Sequence, residues 1–444
     1  MANIFQPPLP SDNQQTCYWQ PTSGTASSLA ISNAAAQCDG PLLLVCENNE
    51  KVEQYKRELR YFCAGNSEQP ITVYSLPDWE TLPYDNFSPH QDIISDRLSA
   101  LFHLPMLKRG ILILSISSLM HKLPPKRYIT ANSLDLHVGQ ELDIDATRKQ
   151  LVDAGYQAVE SVFGHGEFAV RGSIIDIYPM GSRLPYRIDL FGDEIETLRI
   201  FDPETQRSDK QVEEIRLLPG REYPLDARGV TAFRSRFQER FDVDLRQCPL
   251  YQDVSDGISS PGLEYYLAMF FEQLDSLFHF LPENTTVCKV GNLQQAGQDF
   301  WQDIQTRYQD RQVDRFRPIL SPDEIFLPID FVMAAFKRYP QIAFKDSSAA
   351  ADFNIGSMPD LSSNAKLQKP FIAVEQFLQQ HDHRVLFCVE SAGRRETLLE
   401  ILKHIGVTPT AFDHWQDFVD SGQSPGITIA PLDQALWLKQ EELV

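Results

Sequence analysis

The 444-residue chain contains no Gly-Lys dipeptide. A phosphate-binding loop needs glycines that let backbone N–H groups approach the phosphates, a Lys for the β and γ charges, and a Ser or Thr for magnesium. Ahead of the first long apolar run the chain offers only residues 22–28 (TSGTASS), with one glycine and no lysine. ATP hydrolysis by this polypeptide is not expected, and Gly24, Thr25 and Ser27 mark a degenerate nucleotide site. Cations are scarce as well. With 40 Lys and Arg against 61 Asp and Glu, the net charge is −21, which argues against a broad, sequence-independent DNA surface that works by displacing counterions. The seven cysteines form no Cys-x-x-Cys pair and read as free thiols of a reducing cytoplasm. No His-Glu-x-x-His and no Cys/His set at zinc spacing occurs, so neither catalytic residues nor a metal site is expected. No apolar run approaches 18 residues, and the amino terminus lacks a basic region followed by an apolar one. The expectation is a cytoplasmic protein without a membrane segment.

What is present is globular: 42% hydrophobic and 23% charged residues over a length that suits two to four domains. Residues 41–46 (PLLLVC) suit a strand buried on both faces. Val52, Tyr55, Leu59 and Phe62 follow at helical spacing; residues 71–76 and 111–116 read as further strands, with Ile94, Leu98 and Leu101 marking a helix between them. Such alternation implies a parallel sheet covered by helices. Residues 123–127 (LPPKR) read as a linker. A helix over 145–155 should turn Leu151 and Val152 inward, and Phe233, Phe237 and Phe241 form a stripe that reads as core. Residues 262–271 and 286–290 look like a return to the first domain, with Glu264, Tyr265 and Tyr266 structural. Residues 346–369 read as surface loop or linker. Beyond them lie a helix (371–381), a strand (384–389), a helix (392–405) burying Leu398, Leu399, Ile401 and Leu402, and a strand (427–430). His381, Asp382 and His383 need no metal to explain them.

Residues 164–202 (GHGEFAVRGSIIDIYPMGSRLPYRIDLFGDEIETLRIFD) carry the clearest functional pattern. Alternation puts Tyr186, Ile188 and Leu190 on one strand face, and Arg187, Asp189 and Phe191 on the other. Gly192-Asp193 supplies a turn and residues 194–201 a return strand. A Phe in line with a charged pair is the pattern of an interface anchor. A lone surface Phe is also unremarkable on a monomer, so alternation leaves both readings open. Arg171 is a third candidate whose facing depends on whether Gly172 is a bulge.

Three stretches, HGEFAVRGSIIDIYP, PYRIDLFGDEIETLRIFD and DWETLPYDNFSPHQDIISDRLSAL, together resemble the amino-terminal portion of bacterial transcription-repair coupling factors. The first two also resemble domain 2 of the excision-repair protein UvrB. The resemblance is co-linear from about residue 40 onward. It implies a multidomain α/β fold with a discontinuous, parallel-sheet, degenerate helicase-like domain (1–127 and 220–345). An inserted α+β domain (128–219), a linker (346–369) and a small α/β domain (370–444) complete it. It further implies docking of the excision-repair protein UvrA through Arg171, Arg187 and Phe191, with Asp189 expected to steady Arg187. For the complete protein it implies RNA polymerase and double-stranded DNA as partners, and a carboxy-terminal domain that masks the docking surface. A downstream motor would use ATP and magnesium. The chain therefore reads as an amino-terminal fragment without a cofactor, recruiting UvrA to stalled polymerase. The alternatives are a direct DNA-binding module like the first domain of UvrB, and an ATP-driven DNA translocase activity residing in the complete protein. Residues 78–97 depart from UvrB, which carries an aromatic hairpin there. Trp79, Tyr84 and Phe87 are expected to pack rather than to stack on bases.

Overall fold

The computed structural model describes residues 2–11, 16–22, 25–65, 71–363, 369–381 and 383–444. Six parallel strands form the first sheet, in the order Thr16–Trp19, Gln341–Phe344, Thr286–Val290, Leu42–Cys46, Ile111–Ser115, Val73–Ser75. Leu42–Cys46 is wholly buried, as its unbroken apolar sequence requires of a strand covered on both faces. It pairs with residues on each side of a long interruption, Leu42 standing opposite both Ile111 and Thr286. The sheet is thus discontinuous in sequence, and the residues between return the chain to where it left.

The interruption forms a second six-stranded sheet, ordered Ser208–Val212, Glu194–Phe201, Tyr186–Phe191, Ile174–Ile177, Glu167–Arg171, Gln157–Ala158. All its pairings are antiparallel except the last. Its first and last segments meet, because Leu134–His137 pairs with Glu214–Leu217. Helix Ile144–Asp153 begins where the Asp143 carboxylate accepts the Ala146 N–H at 2.7 Å, a side-chain cap. Leu151 is buried, but Val152 is exposed, contrary to the inward position expected of it. A step of 100° per residue carries the side chain after Leu151 off the covered stripe.

One apolar core runs through both sheets, from Leu43, Leu112 and Leu114 of the first to Ile175, Ile188 and Leu198 of the second. Within it Trp79 and Tyr84 are packed as expected, whereas Phe87 stands 67% exposed. Helix Ala227–Arg240 contributes Phe233 and Phe237, stacked at 5.3 Å. Residues 350–353 are not free linker: Phe353 is buried edge-on against Trp19 at 5.4 Å, and Ala351 bridges to Trp19. The last sheet is small and parallel, ordered Leu386–Val389, Gly426–Ile429, Thr410–Ala411. Helix Ala392–His404 buries only Leu402; Leu398, Leu399 and Ile401 remain half-buried, because three short strands present a surface too narrow to cover four apolar side chains.

Candidate protein-docking face

Two successive hairpins build the face. Gly172 (φ +61°) opens the two-residue turn between Glu167–Arg171 and Ile174–Ile177. Gly192 (φ +64°) does the same between Tyr186–Phe191 and Glu194–Phe201. A left-handed φ is cheap only for glycine, so Gly172 is a turn residue rather than a bulge. The alternation continues from Glu167–Arg171 through Ile174–Ile177 to Tyr186–Phe191, while the return strand shifts register between Ile195 and Thr197. Residues directly opposite in an antiparallel pair share a face. Asp176 stands opposite Arg187, and Ile174 opposite both Arg171 and Asp189. Arg171, Asp176, Arg187, Asp189 and Phe191 therefore lie on one side of the sheet, while Ile175, Ile188 and Leu190 face the core. Tyr186, placed with the core residues by alternation, is only half-buried.

The centre of this face is Asp176, whose side chain is fully buried. Its Oδ1 accepts from Arg187 Nε at 2.7 Å and its Oδ2 from Arg187 Nη2 at 3.0 Å, while Arg171 Nη2 donates to the same Oδ2. This forked pair is the strong geometry for guanidinium and carboxylate, and the hydrogen bonds that Arg187 donates to Asp176 raise its pKa. Arg187 Nη1 is also occupied, by the Gln206 carbonyl at 3.3 Å and Ser208 Oγ at 3.1 Å. Its guanidinium lies 5.2 Å from the Phe201 ring centroid. Asp189 acts on Arg187 through its charge rather than through a hydrogen bond: it favours the Arg187 cation, while its carboxylate accepts from Thr197 Oγ1 at 2.9 Å and faces Arg199 at 3.8 Å. Asp189 is engaged by the strand beside it, and Asp176 holds both arginines. Asp176 was missed in the sequence; the signal was a lone acid inside the apolar run IIDI.

The three expected contact residues differ in availability. Phe191 is 79% exposed, and the Arg171 side chain is half exposed. Arg187 is 17% exposed and bonded on three nitrogens, so it shapes the face more than it reaches outward. The face offers a projecting ring beside a guanidinium with free donors, a combination suited to an acidic and apolar protein surface.

At the other sequence candidate, Gly24 lies outside the described residues. Thr25 is buried and donates its hydroxyl to the Gln434 carbonyl at 2.6 Å, and Ser27 Oγ is bonded to Tyr55 Oη at 2.8 Å. Both open a helix, Ala26–Gln37, that sequence reading did not identify. Residues 422–426 (GQSPG) match Gly-x-Ser-x-Gly, a pattern that reading overlooked. They run from a helix end into a strand, and Ser424 Oγ accepts the Val385 N–H at 2.9 Å, whereas a nucleophile elbow turns from strand into helix. Among the described residues no group of three His, Cys, Asp or Glu could hold a metal ion, and no helix is long and apolar enough to cross a membrane.

Fold and face together define the class: a multidomain α/β protein in which a hairpin domain with a charged face interrupts a parallel-sheet domain. Residues 134–223 match the family described as UvrB interaction domain, and residues 377–444 the family described as MFD, D3 domain. The chain is 38% identical over 444 residues to the transcription-repair-coupling factor of Haemophilus influenzae, covering 98% of this chain and 38% of that protein. Against the Escherichia coli protein of the same name it is 39% identical over 407 residues, covering 90% and 35%. Against that of Bacillus subtilis it is 26% identical over 278 residues, covering 59% and 23%. The chain belongs to the transcription-repair-coupling factor family and corresponds to its amino-terminal region. It spans a little over a third of the length of the first two of these relatives.

Proposed function

We propose that this chain is a recognition module of transcription-coupled repair that recruits the excision-repair protein UvrA through the face of Arg171, Arg187 and Phe191. The observation that carries the reading is the exposed Phe191 beside two arginines fixed on one buried carboxylate. The match of residues 134–223 to a UvrB interaction domain supports it. RNA polymerase and double-stranded DNA are partners of the complete protein in this reading, and a carboxy-terminal domain masks the face. ATP and magnesium serve a motor outside these residues; the engagement of Thr25 and Ser27 by neighbouring groups supports a chain that does not hydrolyse ATP itself.

The test is a calorimetric titration of the chain with purified UvrA, repeated with Phe191→Ala and Arg171→Ala. Truncating an interface anchor should cost about 2 kcal/mol, roughly a thirtyfold loss of affinity. Wild-type affinity in both variants would remove the face from the interaction.

A further inference from the structure

Away from the docking face, a cleft of about 450 Å³ opens between the start of helix Gln91–His103 and the segment that leaves the inserted domain. That volume is ordinary for a ligand site. Phe87, Ile94, Arg221, Tyr223 and Glu264 line it. Glu264 is 6% exposed, and its Oε2 accepts from Ser88 Oγ at 2.9 Å. Among the described residues no cation pairs with it. The contrast with its neighbour is informative. Glu222, also in the cleft wall, is neutralised by Arg97 at 2.8 Å and bonded by Trp79 Nε1 at 3.2 Å. Buried carboxylates are normally paired, and this cleft pairs one of its two.

We infer that the cleft receives an arginine side chain of a partner polypeptide, with Glu264 as its counter-charge and Phe87 as the aromatic surface against its guanidinium. Phe87 is the member of the 79–87 aromatic group that the core does not use, and a planar guanidinium stacks on such a ring. Arg221 shares the wall without pairing with either glutamate, so the guest that satisfies both charges brings an acceptor beside its cation. A peptide carbonyl next to an arginine does so; a simple amine does not. The rim also suits a polypeptide. Ile258 is 55% exposed and Phe316 59%, next to Ser259 of the cleft wall and to Arg317, whose guanidinium donates to the Pro261 carbonyl. A net charge of −21 steers a basic segment toward the chain.

Desolvation raises the Glu264 pKa to about 7, with Glu222 raising it and Arg221 lowering it; Tyr223 and Tyr265 also face it. Binding of a cation therefore strengthens as pH rises through about 7, where the carboxylate ionises. The experiment is a titration of the whole chain with N-acetyl-arginine amide, followed by the Ile94 methyl resonance, with N-acetyl-citrulline amide as the neutral isostere and N-acetyl-lysine amide as the compact cation. We expect saturable binding with a Kd on the order of 1 mM, weaker for lysine and absent for citrulline. Binding should be lost in Glu264→Gln, and weakened at least threefold in Phe87→Ala, a surface change that leaves folding intact. Equal responses to arginine and citrulline amides, tighter binding of spermidine than of arginine amide, or an unaltered Phe87→Ala variant would each overturn the inference. No arm of the experiment involves UvrA, so its outcome is independent of the docking face.

Discussion

At the scale of single residues, Phe191 and Asp176 should separate binding from stability. Phe191 is largely exposed, so Phe191→Ala should leave the denaturant midpoint within about 0.5 kcal/mol of wild type. Asp176→Ala strands the mostly buried Arg187 without its counter-ion, which should cost about 3 kcal/mol of stability in a urea titration. Its effect on partner binding should exceed that of Arg171→Ala, because both guanidinia lose their anchor. The sequence made the outward residues legible, since period-two alternation alone places Arg187 and Phe191 together. The buried acid was not legible. IIDI reads as core with one polar interruption, and only pairing across three strands shows that two arginines converge on that interruption.

At the scale of elements, the hairpin turns make a sharper claim. A Cβ built on Gly192 would meet no atom within 4 Å, yet its φ is +64°. Gly192→Ala should therefore cost about 1 kcal/mol through backbone strain alone, seen as a lower Tm, with little change in partner affinity. Long apolar strands and the helices between them could be read because burial on both faces leaves an unmistakable run. The edge strand Thr16–Trp19 and its neighbour Gln341–Phe344 could not. Four mixed residues carry no period: Gln341–Phe344 becomes a strand between Thr286–Val290 and Thr16–Trp19, and Thr16–Trp19 only because Gln341–Phe344 lies beside it, Trp19 opposite Phe344. Residues 350–353 were obscured likewise, since a single Phe353 does the packing.

For the whole molecule, two buried groups set opposing pH dependences. Glu264 has its pKa raised from 4.5 to about 7, so the folded chain holds its proton more tightly than the unfolded chain. Its contribution is present below about 4.5 and is lost as pH rises through about 7. His121 has its pKa lowered from 6.5 to about 4 by burial; its contribution is present above 6.5 and is lost as pH falls through about 4. Between 4.5 and 6.5 the two slopes offset. Above that window His121 no longer offsets Glu264, so stability should decline until about pH 7, and Glu264→Gln should lessen the decline in a series of thermal melts. The first sheet sets a further expectation. A chain ending at residue 281 lacks Thr286–Val290, which joins Leu42–Cys46 to Gln341–Phe344, and limited proteolysis should then digest the residues around Leu42.

The pairing of Leu134–His137 with Glu214–Leu217 bears on ancestry and engineering. Neighbouring antiparallel strands stand roughly 5 Å apart, so the host chain is asked to open by little more than a single residue step. A guest with adjacent ends can be excised or exchanged without rerouting the host chain. The same arrangement makes the hairpin domain portable, so that a short glycine-containing bridge joining residues 133 and 218 should leave the parallel-sheet host foldable once its exposed core face is made polar.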